Sequence, residues 1–264
     1  MAIAWFGQIG LAVRTYIGIA KANCVKQVAT DASQENQLSD TQALLRAWRM
    51  LLPTEVCVSA GPIIATAPRL TKREQSSAGP VNEARLRELE SGRAYAKRAL
   101  AMIGFHDVEL PIAPDRSPMW PPGVVGSLTH VTGPDGGHIA AAVARAPAVC
   151  AIGIDAEREG WLDPTTWEYF LAPRELQRIR SLPVAIRPLE AQIVWCAKET
   201  MIKAASQSIE PTELEIDRDV NECGYPGIWR ATIVGPSHSA RVWEGRTVRS
   251  QGFVLAAVVL QRDH

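Results

Sequence analysis

The stretch IVWCAKETMIKAASQ, residues 193–207, sets Trp195, Glu199 and Lys203 at four-residue intervals. On a helix such residues lie one above another, so an indole, a carboxylate and an ammonium would share one stripe, with Glu ahead of Lys in the favourable order for an ion pair. A second acidic group stands in AIGIDAE, residues 151–157. Read as a strand, it turns Asp155 and Glu157 to one face and Ile152, Ile154 and Ala156 to the other, toward a core. Two carboxylates side by side raise each other's proton affinity, a cost that a cation offsets. Hard oxygen ligands point to Mg2+, which one or two carboxylates hold together with phosphate oxygens and water, and Glu199 would complete the set. Taken singly, the same residues are also what an amphipathic helix and a solvated acidic strand end look like.

The first half holds residues that suit a phosphate: Arg93, Lys97 and Arg98 on one helix, Arg116 in a loop, and Thr129 with His130 at a strand end. Arg93 and Lys97 are four apart, and like charges on one helical face cost a few tenths of a kcal/mol unless an anion lies between them. Alone, the pair also reads as a solvated basic face and His130 as a structural histidine.

These residues need elements to position them. PVNEARLRELESGRAYAKRALAMIGF carries Leu86, Leu89, Ala96, Ala99, Leu100 and Ile103 at helical spacing and closes on Gly104. PPGVVGSLTHV and GGHIAAAVARA read as strands joined by a turn. The second half repeats this grammar, with a strand in VCAIGIDAE, helices in TTWEYFLAPRELQRIRSL and LEAQIVWCAKETMIKAAS, and strands in GIWRATIV, ARVWEG and GFVLAAVVLQ. Both halves are mixed α+β. The pattern G-x-x-x-A-A-V recurs from Gly137 and from Gly252, a hint of duplication.

At 264 residues and 47% hydrophobic, the chain suits one large domain or two small lobes. Lys plus Arg equal Asp plus Glu at 28 each, so no overall field recruits nucleic acid or an anionic membrane. The 5 cysteines are odd in number, scattered and never spaced CxxC, which excludes a disulfide framework and a zinc site and fits a cytoplasmic protein. The apolar opening has no basic stretch ahead of it and Arg14 interrupts it, so neither a signal peptide nor a membrane span is expected. Residues 1–42 read as a poorly ordered N-terminal extension, 43–148 as a first lobe and 149–264 as a second lobe with the metal site. Met50 could serve as an internal start, and a chain beginning there is expected to keep its activity if the extension lies outside the catalytic body.

GRAYAKRAL, RSPMWPPGVVGSLTH, GIDAE and WCAKETMIKA, in that order, resemble the signature blocks of the 4'-phosphopantetheinyl transferases. The second block, W-P-x-G-V-V-G-S-x-T-H, resembles the branch that primes siderophore, nonribosomal peptide and polyketide synthases, typified by the enterobactin synthetase enzyme. The resemblance covers residues 43–260 and implies a pseudo-dimer of two similar α+β halves with coenzyme A in the cleft between them. It implies transfer of the phosphopantetheine arm to a carrier-protein serine, with release of 3',5'-ADP. By resemblance, Asp155, Glu157 and Glu199 would hold Mg2+, Glu199 would also take the serine proton, and Lys203 would meet the phosphates. Trp195 would pack their helix down. Arg93, Lys97, Arg116, Thr129 and His130 match the coenzyme A-binding blocks of the first half. Tyr95 and Lys97 stand where the family more often has cysteine and arginine, and lysine lacks the bidentate fork of arginine, so coenzyme A would be held less tightly.

The implied partner is an acyl, peptidyl or aryl carrier domain, met by basic and apolar groups in FLAPRELQRIRSLPVAIR, with the enzyme a monomer. Two other readings use the same residues. One is a homologue that binds coenzyme A or a carrier without turnover. The other is a metal-dependent phosphoesterase, which usually needs more metal ligands than a chain with 5 histidines offers.

Overall fold

The structure, a computed structural model, describes residues 31–133, 136–205, 208–218, 226–234 and 241–261, with side chains from residue 40 onward. The apolar opening, Cys24 and Cys223 lie outside these residues. Helix α1 spans Asp31–Leu51, strand β1 Cys57–Pro62, helix α2 Lys72–Ala78 and helix α3 Glu83–Met102. Strands β2 (Val124–Gly133), β3 (Gly136–Arg145) and β4 (Val149–Arg158) follow, then helices α4 (Pro173–Ser181) and α5 (Arg187–Ala204). Strands β5 (Leu214–Asp217), β6 (Gly227–Ile233), β7 (Val242–Ser250) and β8 (Phe253–Gln261) complete the chain. None of the described helices is long and apolar enough to cross a membrane.

The strands form two antiparallel sheets, ordered β1-β3-β2 and β4-β8-β7-β6-β5. Each sheet carries one long helix on its outer face, giving an α+β fold of two similar halves. Helix α3 sets Tyr95, Ala96, Ala99 and Leu100 against Ile139, Ala141 and Val143 of β3. Helix α5 sets Ile193 and Cys196 against Val254 and Ala256 of β8. The repeated pattern thus falls on equivalent strands, and its two alanines divide the labour: Ala141 and Ala256 meet the long helix, while Ala142 and Ala257 face the shared core. Small side chains let both layers close on one strand.

That shared core joins β3, β4 and β8, and α1 closes it with Leu44, Ala47, Trp48 and Leu51. The helix begins at Asp31, and its buried stripe starts at Leu44, inside the expected first lobe; residues 1–30 of the expected extension lie outside the described residues. Trp48, with no exposed surface, donates from Nε1 to His138 Nε2 of β3 at 3.0 Å. A start at Met50 would remove this residue and most of the stripe.

The halves meet where β2 and β4, an edge strand of each sheet, run together. Here side chains replace ladder carbonyls. Ser127 Oγ accepts the Ile154 N–H at 3.1 Å, and Thr129 Oγ1 accepts the Ala156 N–H at 3.2 Å. Edge amides of β4 that would otherwise be buried unpaired are thereby satisfied. On the other side of β4, a Cβ placed on Gly153 would lie 1.9 Å from the Thr200 carbonyl oxygen. Only glycine lets α5 lie this close to the strand that carries the acids.

Candidate active site at the seam between the lobes

The stripe of α5 and the acids of β4 meet in register. Trp195 Nε1 donates to Glu157 Oε1 at 3.1 Å, and Lys203 Nζ donates to Asp155 Oδ1 at 2.5 Å and to the Ile154 carbonyl at 3.2 Å. Glu199 stands between these two rungs on the helix. Trp195 does pack the helix down, its ring edge-on to Phe170 at 4.9 Å, but its N–H also holds one of the acids.

Asp155 and Glu157 do share a face, opposite Ile152, Ile154 and Ala156 in the core. That face is not a solvated strand end: Asp155 is 1% exposed and Glu157 5%. A buried carboxylate needs a cation and donors, since removing it from water costs several kcal/mol. Lys203 and the Thr129 hydroxyl, which donates at 3.0 Å, both converge on Asp155 Oδ1. Asp155 Oδ2 is buried without a hydrogen-bond partner. Next to the acids, burial and then the charges of Asp155 and Glu157 push the Cys196 thiol well above its ordinary range, so it stays protonated.

Among the described residues, no three side chains of His, Cys, Asp or Glu are gathered closely enough to hold a metal ion. Lys203 is the cation on Asp155. The residue types still fit Mg2+, which is held by few carboxylates plus substrate phosphates more often than by an all-protein cage, and the orphaned Oδ2 offers a hard oxygen.

The basic residues of α3 have partners of their own. Arg93 is 6% exposed and donates from Nε to the Leu110 carbonyl at 2.6 Å. Burial lowers its proton affinity and the Glu74 charge opposes this. Lys97 pairs with Glu74 at 2.8 Å. Glu74 of α2 thus answers both cations from within the lobe. Burial would raise the Glu74 carboxyl, but the hydrogen bonds of Lys97, Thr71 and Leu110 bring it below its ordinary value. Arg116 lies on an exposed turn with left-handed backbone, φ 71. Thr129 faces Asp155, while His130, next along β2, turns to α3 and meets Arg85 Nη1 at 3.1 Å and Glu88 Oε2 at 3.3 Å.

Several residues that hold the site were not singled out from sequence. Lys198, wholly buried, pairs with Glu175 of α4 at 2.6 Å and donates to the carbonyls of Phe170, Pro211 and Leu214 at 2.9, 2.7 and 2.5 Å. Glu175 in turn accepts from Ala172 N and Ile216 N at 2.7 and 2.6 Å. Burial pushes the Glu175 carboxyl up and the Lys198 ammonium down, each opposed by the other's charge. The pair pins α4 and β5 to the helix that bears Glu199. Ser127 was legible, lying two residues from Thr129 and so on the same strand face. Arg85 and Glu88 are spaced to pair on one helical face, but their reach to His130 and the partners of Lys198 carry no signal in spacing, because those groups come from distant segments.

Two family models match this chain. The 4'-phosphopantetheinyl transferase N-terminal domain covers residues 74–144, and the 4'-phosphopantetheinyl transferase superfamily covers residues 151–241. Among curated proteins, 4'-phosphopantetheinyl transferase Svp of Streptomyces mobaraensis is 32% identical over 67% of this chain and 72% of its own length. Npt of Nocardia iowensis is 36% identical over 67% and 82%, and PptT of Mycobacterium tuberculosis 30% over 67% and 79%, both bearing the same enzyme name. The chain belongs to the 4'-phosphopantetheinyl transferase superfamily and is a transferase enzyme.

Proposed function

We propose that the protein transfers the 4'-phosphopantetheine arm of coenzyme A to a serine of an apo carrier domain of a nonribosomal peptide, polyketide or siderophore synthase. The observation that carries this reading is Asp155 at the seam: a buried carboxylate with one oxygen saturated by Lys203 and Thr129 and the other orphaned. Such an atom calls for a cation that arrives with the substrate. Asp155, Glu157 and Glu199 would hold Mg2+, which when bound would neutralise the pyrophosphate of coenzyme A.

Phosphoryl transfer depends mainly on positioning and charge neutralisation. Lys203 faces the pyrophosphate from beside Asp155, and Trp195 fixes Glu157. Glu199 accepts the serine hydroxyl proton as the serine oxygen bonds to phosphorus, and the phosphorus–oxygen bond to 3',5'-ADP breaks with the electron pair leaving on the nucleotide. His130, backed by Arg85 and Glu88, takes the nucleotide end, with Arg116 and Thr129 nearby in the chain. Arg93 and Lys97 act one step back, framing that end through Leu110 and Glu74.

The carrier would meet the surface around α4. Tyr169, Val184 and Ile186 are exposed there, with Arg174 and Arg180 on the same segment, a mixture suited to an acidic amphipathic helix. Incubation with coenzyme A, Mg2+ and an apo carrier domain, read by intact mass, tests the reading: one phosphopantetheine per carrier is expected, and none after chelation. Coenzyme A binding without carrier modification would instead indicate the non-catalytic homologue, and coenzyme A hydrolysis without it the phosphoesterase.

A further inference from the structure

On α3, Asn82 caps the first turn by accepting the Arg85 N–H at 2.8 Å, and one turn later Arg85 and Glu88 are joined side chain to side chain at 2.8 Å. Both reach the same atom of β2. His130 Nε2 lies 3.1 Å from Arg85 Nη1 and 3.3 Å from Glu88 Oε2. One ring nitrogen therefore stands between a fixed donor and a fixed acceptor. Toward Arg85 it can only accept, which requires a bare nitrogen; toward Glu88 it can only donate, which requires an N–H. Glu88 decides between these states, because its charge favours a proton on the ring that Arg85 disfavours.

Glu88 is equipped for this. Burial would raise its carboxyl, but the hydrogen bonds and charges of His130 and Arg85 bring it down to about 2, so it is ionised throughout the neutral range. Arg93 adds a further positive charge beside Arg85. An imidazolium backed by a carboxylate is a strong, oriented donor to a phosphate, whereas a neutral ring spent on Arg85 is not.

We propose that Glu88 is a positioning residue that holds His130 in its N–H form and thereby sets how well the enzyme tells coenzyme A from 3'-dephospho-coenzyme A. This rests on the transferase reading above. The discrimination arises because only coenzyme A carries the 3'-phosphate that a charged His130 would grip.

The test compares the full chain with Glu88→Gln, Glu88→Asp and His130→Ala. Ring-nitrogen NMR signals of His130 at neutral pH, assigned by their loss in His130→Ala and recorded without coenzyme, report its protonation directly. Glu88→Gln should move them toward the neutral ring and raise KM for coenzyme A about five- to tenfold, as expected on losing one charge-assisted hydrogen bond, with kcat little changed. KM for dephospho-coenzyme A should stay within about twofold by the same principle. Glu88→Asp should restore part of both effects. Unmoved ring signals, or equal KM penalties with both substrates, would overturn the proposal. If the wild-type protein modifies no carrier, the transferase reading fails on its own, while the ring signals still judge whether Glu88 governs His130.

Discussion

Helices α3 and α5 cross their sheets alike, each packed on the strand that bears the repeated alanines, yet their charges meet different fates. On α3, Arg93 and Lys97 are answered from within the first lobe, by Leu110 and Glu74. On α5, Lys203 and Trp195 reach two acids on an adjoining strand, and one oxygen of that pair is left over. Duplicated architecture therefore does not mean duplicated chemistry. The first lobe has closed its polar accounts at this level, and the second has kept one open at the seam.

The comparison depends on α1, which holds the two sheets around one core, so its removal should have the largest effect. A chain starting at Met50 should lose cooperative unfolding, and Trp48→Ala alone should cost about 3–5 kcal/mol in chemical denaturation through the cavity it leaves. A Met50 chain that melts like the full protein would mean that the sheets need no such clamp.

The two lysine–glutamate pairs sharpen the contrast. Lys198→Met leaves Glu175 charged and sealed in the core and should cost about 3–5 kcal/mol. Lys97, whose side chain is 34% exposed, should cost less on the same change, about 1–2 kcal/mol after screening by solvent. Denaturant midpoints compare them, and equal losses would erase the difference between the lobes. Arg93→Ala should likewise lower the melting temperature before it alters KM, since its Nε holds a buried carbonyl.

At the seam, Lys203→Met should slow carrier modification about tenfold or more, the equivalent of one charge-assisted contact. An unchanged rate would return Lys203 to a purely structural partner of Asp155. The smallest effect at neutral pH concerns His138, whose proton affinity burial pushes down to about 4 from an ordinary 6.5. On acidification the unfolded chain takes up this proton first, so the contribution is complete above about pH 6.5 and is lost as pH falls toward 4. Melting temperature against pH should flatten over that window in His138→Gln, and a curve parallel to wild type would exclude His138 as the source.

The sequence by itself determined the long helices, the principal strands, the pairing of Asp155 with Glu157 on one strand face, and the stripe of Trp195, Glu199 and Lys203. It also carried the blocks that mark the family. All of these depend on local periodicity, 3.6 residues on a helix and 2 on a strand, or on order along the chain. It did not disclose that the acids are buried, that Arg93 and Lys97 are satisfied inside their lobe, that Lys198 is locked to Glu175, or that α1 belongs to the core. Each of those depends on segments brought together from afar: Trp48 to His138, Lys203 to Asp155, Glu88 to His130. Only the tertiary structure decided them, because whether a charge is solvated, paired or left waiting is set by what packs against it, and side-chain type and spacing do not contain that neighbour.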